Sequence, residues 1–475
     1  MKVRVKRLVY LALAFVLGGL CVFLVTRGLH PKTENNVANP PVVVKLTETN
    51  LPIVLINTNG LCNRMTQVKT ISAQMCIIHN GEGQLNYADT AAHHGQRMEF
   101  TGLADIHIRG TSSSALDKKS FSLRLKDGKS PLFGWKKSNK WYLLAEHRDG
   151  SLMRNALTYE LARPYFDYVP HVRHCELVID GVYQGVYLIA EKVSRERLGI
   201  TKSDKNDASC SGGVLIKKSR VETFKSKYPA RDSIGYAIGP AGLSFEVDYP
   251  NNLSPAQLNS IQTDFSLMED AINSGLYSEY SKRINVLSFA SYQLVQEFTN
   301  NPDGYVASQK MYKSPGNNTY SMTIWGFDTG YGNITHDGWS ANTMRYKSKS
   351  EQGERPFWWE TLAKDTVYYK IMTNRWAQFR EESFDAANIE NKIDSLQQLL
   401  TVHHAADRNS QAWNTSNESN LLSMPHPFDK SVDYFRNWIT CRLDYLDSEL
   451  LGTTHNTAKC DSICMELGRI IMYKK

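Results

Sequence analysis

Two aspartates offer chemistry: Asp303 and Asp328, in the stretch NNPDGYVASQKMYKSPGNNTYSMTIWGFDTGYGN, residues 300–333. Each stands in turn-forming company, Asp303 just before Gly304 and Asp328 just before Thr329-Gly330. Two carboxylates held on neighbouring loops can bind a divalent cation or move a proton. Such work requires an element that brings them together.

The residues between them supply it. Lys310-Met311-Tyr312-Lys313 alternates, Pro315-Gly316-Asn317-Asn318 turns, and Tyr320 to Ile324 alternates again. This pattern predicts a hairpin with the Asp303 and Asp328 loops at one end. Ser308 follows Asp303 at the interval where protein kinases place a metal-binding side chain after a catalytic Asp. The rival reading is an Asp-Gly turn and an unrelated surface carboxylate.

A second set is basic. Arg109 ends an alternating strand, the hydroxyl-rich loop Thr111 to Ser114 follows, and Lys118-Lys119 leads into the next strand. Cations around such a loop can hold a phosphate, although exposed lysines at a strand entrance would look the same. Ser151 is a candidate cap for a helix reaching about Ala162, with Arg154 and Asn155 in its first turns. An arginine there opposes the helix dipole, which points to an anionic partner or an ion pair. Glu176 to Ile179 and Val186 to Ile189 form a hairpin across Asp180-Gly181, with Gly185 as a bulge and Glu191 at its exit.

The 475 residues suffice for two or three lobes. Six of the seven net positive charges precede position 33, so the rest is close to neutral and nothing argues for a nucleic-acid partner. Leu8 to Val25 is an uncharged apolar run, just long enough to cross a bilayer. Four basic residues before it predict an anchor with the folded part extracytoplasmic; a cleaved or lipid-bearing leader is the alternative. Some of the eight cysteines could then pair, while Cys175 reads as core. Residues 31–48 read as a tether. Residues 219–241 read as an exposed loop, and 334–353 as a mobile loop beside the site. Helices are expected from Pro255 to about Ser274 and Val286 to Phe298, then within 362–379, 386–400 and 431–450.

Taken together, IRGTSSSALDKKSFSLRL, LLAEHRDGSLMRNALTYELA, CELVIDGVYQGVYLIAEKV, NNPDGYVASQKMY and WGFDTGYGN resemble the spore-coat-protein-H (CotH) kinase-like family, in order, over about residues 50–450. The resemblance implies an α+β, two-lobed protein-kinase-like fold: an N-terminal segment at 1–30, a linker at 31–48, a β-rich N-lobe at about 49–218, a mostly helical C-lobe at 219–450 and a tail at 451–475. It implies transfer of the γ-phosphoryl group of ATP, with Mg or Mn, to Ser or Thr of an extracytoplasmic or surface protein. By position Asp303 matches the catalytic base, Ser308 falls where a metal ligand is expected, Asp328 would have to swing in to serve the metal, and Arg109, Lys118 or Lys119, Arg154 and Glu191 lie on the nucleotide side. The family pattern Trp-Asp-aromatic-Asp is here Trp325-Gly326-Phe327-Asp328, so its first carboxylate is missing. That departure leaves a second reading open, a non-catalytic pseudokinase acting as a surface assembly module.

Overall fold

The computed structural model describes residues 40–111, 113–219, 222–231, 237–334, 340–347, 355–413, 427–455 and 460. A short pair, β1 (Glu48–Thr49) with β4 (Asn86–Tyr87), flanks a closed seven-stranded barrel. The barrel runs β2 (Ile53–Asn57), β3 (Ile71–Ile78), β5 (Met98–Arg109), β6 (Ser120–Leu125), β7 (Lys140–Leu144), β9 (Val182–Glu191) and β8 (Val172–Ile179). Alternation sets its two faces. Ile106, Ile108, Phe121, Leu123, Leu143 and Ile189 pack inside, while Arg109, Ser122, Tyr142 and Ala190 occupy the opposite parity. Closure comes from β2, which pairs parallel with β8, Ile53 against Glu176 through Ile56 against Ile179.

A second, five-stranded sheet runs β11 (Phe224–Arg231), β12 (Ala237–Tyr249), β10 (Val214–Lys218), β13 (Lys310–Lys313) and β14 (Ser321–Thr323). The anticipated hairpin is its β13–β14 edge, with Lys310 opposite Thr323. The helices are α1 (Arg154–Ala162), α2 (Pro255–Asn273), α3 (Tyr277–Tyr280), α4 (Val286–Thr299), α5 (Trp358–Lys364), α6 (Thr366–Glu381), α7 (Ala386–Thr401), α8 (Ala405–Ala412) and α9 (Phe428–Leu451). α2 begins as expected, with Ser254 and Gln257 in a reciprocal capping box and Pro255 at its first position. α4 ends on Asn300, whose left-handed φ of 42° turns the chain into the Asp303 loop.

Several expectations need correction. The fold is not a β-rich lobe followed by a mostly helical one. It is a mixed α/β fold whose first region closes into a barrel, and its second sheet takes strands from both sides of residue 219. The stretch 219–241 is not an open loop where it is described, since it contributes β11 and the start of β12. The described part of the 334–353 loop, 340–347, is packed, with Met344, Arg345 and Tyr346 buried. The run Leu8 to Val25 lies outside the described residues, and among the described residues no helix is long and apolar enough to cross a membrane. The expected transmembrane helix, membrane partner and membrane-anchored extracytoplasmic placement therefore find no support in the fold. The longest helix, α9, has buried residues on one face and carries Asp429, Lys430, Asp433 and Arg436 in its first turns.

Contacts from α8 help tie the two regions. Asn409 on α8 accepts from Val186 N–H at 3.0 Å and from Lys118 Nζ at 2.8 Å, while the same Nζ donates to Val186 O at 2.5 Å. Arg408 pairs with the buried Glu176 at 2.7 Å, and Trp413 Nε1 donates to Gln184 O. Gly185 permits this approach: its φ is +98°, and a Cβ there would stand 2.6 Å from Asn409 Oδ1. Gly185→Ala should therefore lower unfolding free energy by about 1–3 kcal/mol. A urea midpoint equal to that of the unaltered chain would show that α8 is not held at this point.

Candidate active site

The Asp303 loop is a tight turn. Asp303 O accepts from the N–H groups of Val306, Ala307 and Ser308, and Asn301 Oδ1 accepts from Asp303 N–H at 3.2 Å. Asn301 Nδ2 also donates to Gly326 O at 2.8 Å, which joins this loop to the one carrying Asp328. Ser308 reaches the same point: a Cβ added to Gly326 would stand 3.4 Å from Ser308 Oγ.

The Asp328 loop is fixed by α1. Tyr159 OH accepts from Gly326 N–H at 3.0 Å, and Asn155 Oδ1 accepts from Phe327 N–H at 2.7 Å. Asn155 Nδ2 donates to both carboxylate oxygens of Glu146, each at 3.0 Å. Asn333 Nδ2 then donates to Asp328 O and to Arg148 O. A small acidic set results, Glu146 and Asp149 from the loop after β7 together with Asp328. Burial, then repulsion from Asp328 and Asp149, pushes the Glu146 carboxyl well above its usual range. Burial also raises Asp328, opposed first by the Arg148 charge.

A cationic wall faces this set from outside the barrel. The Arg109 guanidinium lies 4.2 Å from the Tyr142 ring centre and 5.4 Å from that of Trp325. Lys192 Nζ lies 6.0 Å from the Tyr142 ring. From the second sheet come Lys217 and Lys310, directly opposed on β10 and β13. Lys217 is answered by Glu246 at 3.0 Å and Asp248 at 3.7 Å. The side chains of Arg109, Lys192 and Lys310 make no hydrogen bond or ion pair with another described residue. Burial lowers the Lys310 ammonium to about 8, against the pull of Asp248 and with repulsion from Lys217, Lys192 and Arg109.

The other expected site residues sit elsewhere. Lys118 is buried beneath α8 as described, and burial lowers its ammonium to about 7. Lys119 Nζ donates to Ser114 O at 3.1 Å. Arg154 pairs with Asp149, which also accepts from Met153 and Arg154 N–H and so caps α1 in place of Ser151. The anionic partner inferred for Arg154 is thus internal. Glu191 is buried against Arg197 at 2.8 Å and His171 at 3.0 Å. Of the basic residues singled out from sequence, Arg109 belongs to the wall. Glu146, Asp149, Lys192, Lys217 and Lys310 were not anticipated. Lys192 carried a readable signal, since it continues the outward parity of β9, whereas Lys310 did not, because the residues beside it on β13 are buried on both faces.

The Glu146 carboxyl has a testable signature. A carboxyl with a raised folded pKa favours folding while protonated, and that stability is lost as pH rises from about 4.3 through the raised value. Each unit of raising costs about 1.4 kcal/mol once the group ionises. Glu146→Gln should therefore gain stability relative to the unaltered chain between pH 5 and pH 8. Parallel urea midpoints across that range would contradict the raised value.

A family profile described as CotH kinase protein matches residues 106–446. The chain is also 22% identical over 360 residues to the inner spore coat protein H of Bacillus subtilis (strain 168), covering 73% of this chain and 87% of that protein. The match spans the barrel from β5 onward, both loops bearing the aspartates and nearly all of α9, and on that extent the chain belongs to the CotH kinase protein family.

Proposed function

We propose that the chain binds ATP between the cationic wall and the Asp328 loop and transfers its γ-phosphoryl group to a Ser or Thr hydroxyl of a protein. The observation that carries this reading is the trio Arg109, Lys192 and Lys310, whose side chains make no direct ion pair with another described residue and share the longer-range pull of Asp248 and Asp328, beside two joined acidic loops. Phosphoryl transfer relies on positioning and on charge stabilisation more than on covalent help from the protein. Cations that keep their donors free suit a polyphosphate.

In this scheme Asp303 takes the proton of the acceptor hydroxyl. That oxygen bonds to the γ-phosphorus, the bond from phosphorus to the β–γ bridging oxygen breaks, and ADP leaves with the electron pair. Arg109 and Lys310 stabilise charge on the phosphate oxygens. The anchoring of Gly326 and Phe327 on α1 keeps the acidic loop in register with the wall.

Mg or Mn would be held by Asp328 with Ser308. The donor set is thin: among the described residues no group of three His, Cys, Asp or Glu side chains is disposed to hold a metal. Glu146 has both oxygens on Asn155, and Gly326 brings no side chain. Mg ordinarily takes one or two carboxylates besides phosphate and water. Of the carboxylates on that side, Glu146 and Asp149 are committed to Asn155 and Arg154, which leaves Asp328.

Gly326 also favours the second reading, a non-catalytic pseudokinase acting as a surface assembly or binding module. Two measurements separate them. Labelled transfer from ATP should fall about 100-fold or more in Asp303→Ala, and equal incorporation by the two proteins would remove Asp303 from the chemistry. Gly326→Asp must adopt a φ of +73°, which Asp tolerates at modest cost. If that variant turns over while the unaltered chain binds ATP without transferring it, the module reading holds.

A further inference from the structure

In the wall the arrangement of charge runs against ordinary sheet stability. Lys217 and Lys310 stand directly opposite each other on adjacent antiparallel strands, a placement that costs stability for like charges. Glu246 and Asp248 answer Lys217, yet Lys310 keeps no ion pair. Arg109 is held by two rings instead of a carboxylate, so its planar set of N–H donors stays available. The rings are themselves packed edge to face at 5.4 Å, which fixes the position of the guanidinium. Lys192 approaches the same Tyr142 from the end of β9.

On the Asp328 loop beside the wall, the side that should supply metal ligands is closed to new ones. Gly326 is fixed at both its N–H and its carbonyl, by Tyr159 and Asn301. Glu146 is committed to Asn155. Asp149 is spent on Arg154, Ser151 and the first N–H groups of α1. Neutralisation of a triphosphate is thus built mainly into cationic side chains and only weakly into oxygen ligands for a cation.

From this division we infer that polyphosphate binding in this cleft is metal-independent, with Arg109, Lys192 and Lys310 supplying the positive charge that a divalent ion would otherwise bring. The inference rests on the ATP reading above and concerns binding alone, so it holds whether or not turnover occurs. It also sets a division of labour: the wall determines affinity, and any metal on Asp328 acts on the transfer step.

The test is calorimetric titration of the full chain with ATP in EDTA and again with excess Mg²⁺. Dissociation constants within tenfold of each other are expected. Lys310→Met and Lys192→Met should each weaken binding about tenfold or more in EDTA, and Lys310→Arg should restore most of it. Circular dichroism melts of the same samples check that the variants are folded. Binding that weakens by tenfold or more on removing Mg²⁺, or that ignores the lysine substitutions in folded protein, would overturn the inference while leaving ATP as the ligand. If ATP binds in neither buffer, the nucleotide reading itself falls and this inference with it.

Discussion

The cleft hangs from one buried amide. Asn155 gives its two N–H bonds to Glu146 and takes the N–H of Phe327, so a single side chain joins the loop after β7, α1 and the strand exit that carries Asp328. Each polar group in that chain is out of water and satisfied only by the next, which makes the arrangement all-or-none. The Asp328 loop is consequently positioned by the barrel side of the molecule, although it lies on the strand of the other sheet. Tyr159, one turn further along α1, repeats the hold at Gly326.

Charge in the cleft is distributed unevenly because the two sides are made differently. The acidic side is loop backbone pinned by side-chain amides, and its carboxyls are either committed or raised by burial. The basic side is strand, where parity sends Arg109, Tyr142 and Lys192 outward from a barrel whose apolar residues face in. A sheet face holds these cations apart at fixed spacing, with Glu246 and Asp248 answering Lys217 beside them. That spacing is what a loop could not supply, and it explains why the wall's free charges sit on β5, β13 and the end of β9 and not in the hydroxyl-rich loop before Lys118.

Much of this was readable from residue order, and the failures have physical causes. The β13–β14 hairpin was legible because its turn carries Pro315, Gly316, Asn317 and Asn318 between alternating residues. α2 was legible from Ser254, Pro255 and Gln257. Both are local signals. Barrel closure was not, since β2 and β8 pair in parallel across more than a hundred intervening residues and no turn announces it. Leu243 to Val247 reads as a strand and lies within β12, whereas β11 was hidden because polar residues such as Ser226 are buried there, satisfied by Glu269 from α2. Lys118 and Arg154 have the residue type of ligand-binding groups, yet Asn409 and Asp149, distant in one case and five residues upstream in the other, claim them. Sequence shows which charges exist; only packing shows which are already spent.

The strap made by α8 bears on how such a cleft can admit anything. Asn409 grips Lys118 and the backbone of β9 together, with Arg408 and Trp413 docked on either side. Swinging the barrel away from the helices like jaws would strand an ammonium and a carboxylate in a dry interior, a penalty far above thermal agitation. The frame behind Lys192, Arg109 and Trp325 is therefore held still by α8, and an incoming anion meets these groups already set in place.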